Sequence, residues 1–309
     1  MSGLKRNSSH DDVRWLLFPS GKKLRIILAE NGTRKDCGHS YRPEMKWLIL
    51  ILLVGVACVG KAQVDPWNFA GQFPHFRDLS GLPGAGFGVT TKGLPSITGA
   101  MAISTPIGFS LADGYFDIGL SCRSIDNTPR LFQYSSTGND ISSGTGQIMG
   151  GFRTPVGTLT VSLEVLSSEL DSVANAQLQL PIHWDKGGIS VGCQNIWNRP
   201  EAASQSVPGE KDLSRSYFAV ATYELAKGSF LSIGDGDVRF NGVFGSVSMM
   251  PAERFKVLAE YDTFGWNPGV AYSLGQIPNL GKHYDKNEAT VAFSMIQLHR
   301  STIALNFAF

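Results

Sequence analysis

The last ten residues, RSTIALNFAF (Arg300–Phe309), are the stretch that decides the fold. Successive side chains of a β-strand point to opposite faces, and here the two faces differ in chemistry. The apolar face carries Ile303, Leu305, Phe307 and Phe309, and the small or polar face carries Thr302, Ala304, Asn306 and Ala308. Chain ends are usually frayed and polar. An alternating strand that ends on an aromatic ring therefore suits either the core face of a soluble sheet or the lipid face of a membrane barrel.

The same alternation recurs upstream, in GYFDIGLSCR (114–123), GTLTVSLEV (157–165), ANAQLQLPI (174–182) and RFKVLAEYD (254–262). In the last of these runs, four charged residues share one parity: Arg254, Lys256, Glu260 and Asp262. Four charges on one face are costly against an apolar core and cheap against water. We therefore expect this face to meet water, either as the wet face of a soluble sheet or as the lumen face of a barrel; in a barrel these four side chains are the candidate lumen charges.

Aromatic residues recur near the predicted strand ends. They are Tyr115, Phe116, Phe152, Trp184, Tyr217, Tyr223, Phe255, Tyr261, Trp266 and Phe309. Tight Gly- or Pro-containing turns at 153–157, 185–188 and 225–228 alternate with long polar segments at 124–144 and 195–215. Aromatic girdles, with short turns on one rim and long loops on the other, are typical of outer-membrane barrels.

About thirteen strands can be counted, from 99–105 to 301–309, and closed bacterial barrels favour even numbers. The sequence therefore predicts an all-β fold, an antiparallel up-and-down transmembrane β-barrel of about 12 strands (range 10–14) over residues 97–309. Closure is required because an unpaired strand edge is not tolerated in lipid. Residues 64–96, rich in Gly, Pro and aromatic residues, are predicted to be an ordered but irregular N-terminal segment.

An export signal is predicted at MKWLILILLVGVACVGKAQ (45–63). Its apolar run of about 13 residues is shorter than the roughly 20 needed to span a bilayer. The small residues Gly60 and Ala62 favour cleavage after Ala62. Residues 1–44 form a polar, basic leader, which favours a true translation start at Met45. Lipidation at Cys58 stays open, although Gly55 stands where a lipobox usually has Leu.

Composition and motifs give no support to an enzyme, a cofactor or nucleic-acid binding. Residues 64–309 carry sixteen Lys/Arg and twenty-one Asp/Glu, a net charge of −5 without a basic stripe. The G-x-S-x-G match at 188–192 lies within an alternating strand that no helix follows. No C-x-x-C pair is present. Cys122 and Cys193 fit two small apolar residues better than a disulfide.

Two stretches resemble a known family: residues 98–121 and residues 240–274. The matching features are Gly99 with Thr105-Pro106, Ala112-Asp113-Gly114, Asn241-Gly242, Phe244-Gly245, Ala259-Glu260-Tyr261-Asp262, and Asn267-x-Gly269 before Tyr272. In these features the chain resembles the YjbH-type proteins, outer-membrane β-barrels associated with bacterial exopolysaccharide gene clusters. The resemblance implies a non-enzymatic role in exopolysaccharide production or export.

The terminal strand, through Ile303, Leu305, Phe307 and Phe309, also resembles the sorting signal that the barrel-assembly machinery reads. The expected location is the outer membrane of a Gram-negative-type bacterium. The expected partners are outer-membrane lipid, the barrel-assembly machinery, and polysaccharide with its export components. A general small-solute porin and a secreted β-sandwich that binds carbohydrate stay open as alternatives.

Overall fold

A computed structural model describes most of the chain after residue 75 and a short hairpin before it. The described residues are 13–17, 23–27, 76–77, 79–124, 142–166, 172–182, 184–199, 215–280, 284, 286–298 and 300–309. The predicted signal at 45–63, Cys58 and residues 64–75 lie outside them. Within the predicted leader, β1 (Val13–Leu17) and β2 (Lys23–Ile27) form an antiparallel hairpin.

Twelve further strands form a second unit. They are β3 (Phe116–Ser124), β4 (Ser142–Thr154), β5 (Gly157–Val165), β6 (Ser172–Gln179), β7 (Gly187–Gln194), β8 (Ser216–Ala226), β9 (Ser229–Gly236), β10 (Gly242–Ala252), β11 (Phe255–Tyr261), β12 (Trp266–Gly275), β13 (Glu288–Ile296) and β14 (Arg300–Ala308). Each strand pairs antiparallel with its neighbours in sequence, and β14 pairs with β3 to close the barrel. The predicted 12-stranded up-and-down barrel is confirmed, and the β-sandwich alternative is wrong.

The closing seam explains why the chain ends on an ordered aromatic residue. Along it, Leu305 lies opposite Leu120 and Phe307 opposite Ile118. The Phe309 amide donates to the Phe116 carbonyl oxygen at 2.8 Å, and the Phe116 amide donates back at 2.6 Å. The final residue therefore forms the last backbone hydrogen bonds of the closed ladder, which leave no open edge at this seam.

The wall is apolar outside and polar inside, the reverse of a soluble protein. Outward-facing Leu120 and Ile148 are 57% and 50% exposed. Interior-facing positions are buried and mostly polar: Asp117, Gln147, Glu164, Asn175, Gln177, Lys256, Glu260 and Asn306. The alternation predicted for β3, β5, β6, β11 and β14 is confirmed, because in each the apolar parity faces outward.

The two ends of the barrel differ. We call the end where β3 begins and β14 ends the proximal rim, and the other end the distal rim. The proximal rim carries the two-residue turns at 155–156, 227–228 and 253–254, and also the longer connection 276–287. The distal rim carries the longest connections, 125–141 and 195–215.

Aromatic pairs mark both rims. On the proximal rim, Phe116 lies near Phe309, and Trp184 lies 5.3 Å from Tyr223 between ring centroids. On the distal rim, Tyr261 and Trp266 lie 5.4 Å apart, and Trp266 is 63% exposed. The predicted aromatic positions therefore form girdles at the two ends of the apolar band.

The start of the wall differs from the sequence prediction. The predicted strand at 99–105 is wrong, because the first wall strand begins at Phe116 and residues 97–115 precede it. Cys122 and Cys193 do not form a disulfide. In the described part of the chain, no helix is long and apolar enough to cross a bilayer.

Candidate functional site

The lumen is filled by the chain that precedes the wall. We call the described residues of 76–112 the plug. They contain no regular strand, only isolated bridges such as Val89 with Ala100. Their apolar side chains are almost wholly buried: Phe76, Leu79, Leu82, Phe87, Val89, Ile97, Met101, Ile103, Ile107, Phe109 and Leu111. The site is therefore an interface between this segment and the polar inner wall.

Contacts with the wall trace the course of the plug. Phe76 packs on Leu166 and Val173 at the distal rim. Gly93 lies beside Ala112, whose amide donates to the Gly93 carbonyl oxygen at 2.8 Å. Arg239 on the β9–β10 connection donates to the carbonyl oxygens of Phe76 at 3.1 Å and Ser104 at 3.2 Å.

These contacts define three passes through the lumen. Residues 76 to 93 run from the distal to the proximal half, and residues 93 to 104 return. Residues 104 to 112 then run to the proximal rim, where β3 begins. The chain therefore changes direction twice inside the barrel.

Glu260 on β11 is the central anchor of the plug. Its Oε2 accepts hydrogen bonds from the backbone amides of Ile103 (2.9 Å), Ser104 (2.8 Å) and Thr105 (2.9 Å). It also accepts from the Thr105 hydroxyl at 2.9 Å, while Oε1 accepts from the Ser104 hydroxyl at 2.8 Å and from Asn267 Nδ2 at 3.1 Å. Three successive amides aimed at one carboxylate oxygen form an anion-binding nest. They compensate the burial of the carboxylate.

The third pass is bonded by neutral side chains of the wall. Gln177 Nε2 donates to the carbonyl oxygens of Ile107 (2.8 Å) and Phe109 (3.0 Å). Thr222 Oγ1 accepts from the Gly108 amide at 2.7 Å, and Thr160 Oγ1 from the Leu111 amide at 2.9 Å. Irregular backbone must find hydrogen-bond partners when it is buried. Here the amides and hydroxyls of the wall supply them.

Glycines allow the plug to approach the wall closely. A Cβ at Gly108 would overlap the Gly188 carbonyl oxygen, and a Cβ at Gly188 would overlap the Gly108 carbonyl oxygen. Gly86, at φ 79°, similarly leaves room for the Asn306 side chain. The first glycine of the G-x-S-x-G match thus has a packing role.

Charged side chains hold the plug at the distal mouth. Arg77 lies 3.4 Å from Asp262 and 4.8 Å above the Phe264 ring. Burial lowers the pKa of Arg77, and it lowers the pKa of Arg239 to about 10. Arg239 remains protonated at neutral pH. Its guanidinium also lies over the Phe240 ring, at 4.8 Å from the centroid, so aromatic faces replace part of its hydration.

Charged and amide groups of the wall also bond other parts of the plug. Lys256 Nζ donates to the Gly99 carbonyl oxygen, and Glu288 accepts from the Ile97 amide. Gln147 accepts from the Gly81 amide at 3.2 Å and donates to Asp117 at 2.8 Å. The plug is therefore bonded along its length.

Three of the four predicted lumen charges face inward, and one does not. Lys256 and Glu260 point into the barrel from β11, and Asp262 is buried just beyond the end of that strand. Arg254 does not face the lumen, because it lies exposed in the β10–β11 turn at φ 65°. The parity argument extended the strand one residue too far. The sequence predicted that these inward charges would contact water in the lumen. In the structure they contact the plug instead.

The four residues of the predicted sorting strand, Ile303, Leu305, Phe307 and Phe309, all lie on the outer parity of the closing seam. Their recognition by assembly machinery remains a prediction. Sequence reasoning missed the plug. Its available signal was the density of glycines at 81–99, together with the Gln, Asn and Thr residues on the inner parity of β4, β5 and β6.

No side-chain group among the described residues gathers three or more His, Cys, Asp or Glu close enough to hold a metal ion. No family model and no curated protein sequence matches the chain. Solved structures that are similar to it include two porin structures. "KdgM porin in complex with disordered oligogalacturonate" has 6% identity, a TM-score of 0.38 and coverage of 63% of this chain and 98% of that chain. "KdgM porin" has 7% identity, the same TM-score and coverage of 62% and 98%.

Proposed function

We propose that the protein is a non-enzymatic outer-membrane β-barrel, closed by its own plug, that supports exopolysaccharide production or export. The observation that carries this proposal is the combination of a closed wall, an apolar exterior and a bonded polar interior. A wide band of exposed apolar side chains is unfavourable in water and favourable in lipid. A closed ladder satisfies its backbone hydrogen bonds without water.

The plug favours a supporting or gated role over that of a general small-solute porin. A porin needs a continuous aqueous path. Here Glu260, Gln177 and Lys256, which could line such a path, are bonded to the plug backbone. Free passage of solute or polymer would require these bonds to break. In this proposal the resting barrel does not conduct.

The exopolysaccharide part of the proposal rests on the resemblance to YjbH-type proteins. Its two stretches, 98–121 and 240–274, are far apart in sequence but in contact in the fold. Thr105, from the first stretch, bonds to Glu260, from the second, through both its amide and its hydroxyl. This contact supports reading the two stretches as parts of a single unit.

Separated membranes of the producing bacterium test the location. We expect the native protein in the outer-membrane fraction, with faster gel migration before boiling than after. Recovery in a soluble fraction, without a heat shift, would contradict the membrane assignment.

Loss of the gene tests the role. We expect reduced surface polysaccharide with normal uptake of small sugars, restored by the wild-type gene. Normal polymer with impaired sugar uptake would favour the porin alternative instead.

A further inference from the structure

The inner faces of β6 to β10 form one continuous part of the wall, which we call the neutral face. The buried charged side chains of the described strands lie outside it, on β3, β5 and β11: Asp117, Glu164, Lys256 and Glu260. On β6 to β10 the buried polar side chains are amides and hydroxyls, among them Gln177, Ser190, Gln194, Thr222 and Ser246. About half of the lumen wall is therefore polar without being charged.

Three phenylalanines also face inward from the neutral face: Phe218 on β8, Phe230 on β9 and Phe244 on β10. Phe218 lies opposite Gly192 and Phe244 opposite Gly234. A Cβ at either glycine would come 2.3 Å from the Cζ atom of the opposing ring. Each ring therefore lies against the wall above a glycine and presents its other face to the lumen.

The plug covers these rings with its own apolar side chains. Leu82 packs in one cluster with Phe218 and Phe244. Phe109 meets the Phe230 ring edge to face, with the ring centroids 6.1 Å apart. The plug thus occupies the aromatic surface of the neutral face, and any other occupant has to displace it.

The plug leaves part of the polar surface unused. Gln177 and Gln194 donate through Nε2 to plug carbonyl oxygens, at 2.8 Å and 2.6 Å. The Oε1 atoms of both glutamines and the Oγ atoms of Ser190 and Ser246 are buried and have no hydrogen-bond partner among the described residues. A buried polar atom without a partner is costly. These four groups can therefore gain from a ligand that carries hydroxyls.

Amides and hydroxyls beside aromatic rings suit a sugar chain. Each amide can donate to one sugar hydroxyl and accept from another, and an aromatic face packs on the apolar face of a pyranose ring. An anionic polymer would find no buried cation on the neutral face. It would also meet the carboxylates on β3, β5 and β11, which outnumber the single ammonium of Lys256 among the buried groups of the described strands.

We propose that the neutral face binds a strand of uncharged polysaccharide in competition with the plug. The lumen already holds three passes of polypeptide, so displacement of part of the plug leaves room for one sugar strand. This inference names the substrate class of the proposed function and rests on that function.

Competition can be measured on the full chain in proteoliposomes. Ser80→Cys is placed in a parent whose four native cysteines are replaced by Ala. Ser80 is buried in the plug and its carbonyl oxygen is bonded by Gln194, so a maleimide reaches this position only when the plug leaves the neutral face. Lys227→Cys, exposed in a proximal turn, controls for reagent access. The probes are maltohexaose, cellohexaose, and the same two oligomers with their primary hydroxyls oxidised to carboxylates.

We expect the uncharged oligomers to raise the labelling rate of Ser80→Cys about fivefold, because a ligand of the displaced state shifts the population toward it. The oxidised oligomers should leave the rate unchanged, and Lys227→Cys should label equally with and without sugar. If neither uncharged oligomer raises the rate, or the oxidised forms raise it as much, the proposal is wrong.

Matched variants locate the binding surface. Ser190→Ala and Ser246→Ala each remove an unpartnered hydroxyl from the neutral face, and Thr145→Val removes one from β4, outside it. The rise caused by sugar, relative to the same variant without sugar, should shrink in the first two and persist in the third. A full rise in the first two, or an equal loss in all three, would overturn the assignment.

Failure of this inference can be told apart from failure of the proposed function. Heat-modifiable migration of the proteoliposome protein is checked before sugar is added, so loss of the barrel is seen first. Loss of surface polysaccharide on gene deletion is measured independently of labelling. If both of those results hold and the sugars have no effect, only the neutral face is wrong.

Discussion

At the scale of single residues, Glu260 shows how a charge predicted for a channel can serve as a structural ligand. Its carboxylate is 1% exposed and accepts hydrogen bonds from three consecutive plug amides. Hydrogen bonds to an ionised acceptor are stronger than neutral ones and compensate its desolvation. The same side chain therefore fixes the turn of the plug at residues 103–105. It also accepts hydrogen bonds from backbone amides that have no strand partner.

Glu260→Ala should weaken the folded barrel markedly. It leaves three buried amides without their acceptor, at a cost of about 1–3 kcal/mol for each unsatisfied donor. We expect the folded gel form to convert to the unfolded form at a clearly lower temperature. Glu253→Ala, at an exposed position in the β10–β11 turn, is the control and should not move this transition. Equal transitions for the two variants would show that the nest contributes little.

Gly108→Ala should displace the plug. The added Cβ would overlap the Gly188 carbonyl oxygen and lie 2.7 Å from the Thr222 nitrogen, and backbone atoms cannot rotate away as a side chain could. Protease digestion of the purified barrel should then cut the plug region faster than in wild type. Gly146→Ala is the control, because its Cβ would meet only Leu120 at 3.6 Å. Unchanged digestion of Gly108→Ala would contradict the close approach.

At the scale of elements, periodicity predicted the wall and could not predict the plug. Strands such as β5 and β11 show their faces in sequence because side chains alternate strictly across a sheet. The plug has no period, since its backbone bonds to scattered side chains of the wall. Ala100 and Ala102 are two residues apart, as in a strand, and the segment 99–105 was predicted to be one. In the structure both residues pack within the lumen. Such contacts between distant residues leave no local pattern.

A charged side chain on the outer face of β14 should destabilise the barrel in lipid. Leu305 lies within the closing seam and faces outward. An Arg or Lys on the lipid face costs roughly 2–4 kcal/mol near the bilayer midplane. We therefore expect Leu305→Arg to reduce the yield of folded barrel in liposomes, whereas Leu305→Met preserves volume and apolarity and should fold normally. Equal yields would argue that this face does not meet lipid.

The terminal aromatic residue should matter more for assembly in cells than for folding. Phe309→Ala removes a ring that contacts Phe116 and Tyr284 but keeps the backbone bonds of the seam. If β14 is a sorting signal, this variant should reach the outer membrane poorly yet refold in detergent. Phe293→Ala, an outward aromatic on β13, is the matched control. If both variants assemble equally well in cells, Phe309 has no special role in assembly.

At the scale of the whole molecule, the two faces of one wall have different roles. The outer face provides an apolar band, and the inner face provides hydrogen bonds for an irregular segment that could not otherwise be buried. Arg239 joins the beginning of that segment to its second turn through the carbonyl oxygens of Phe76 and Ser104. Plug and wall thus satisfy each other's polar groups and should fold and unfold together.

Permeability of proteoliposomes to a small sugar tests the central claim, a barrel in lipid whose lumen is filled. Vesicles that carry the purified full chain are first floated and checked for heat-modifiable protein, which confirms insertion. The account predicts that these vesicles swell in isotonic sugar no faster than protein-free vesicles. Swelling at the rate given by an open porin of similar strand number would contradict it.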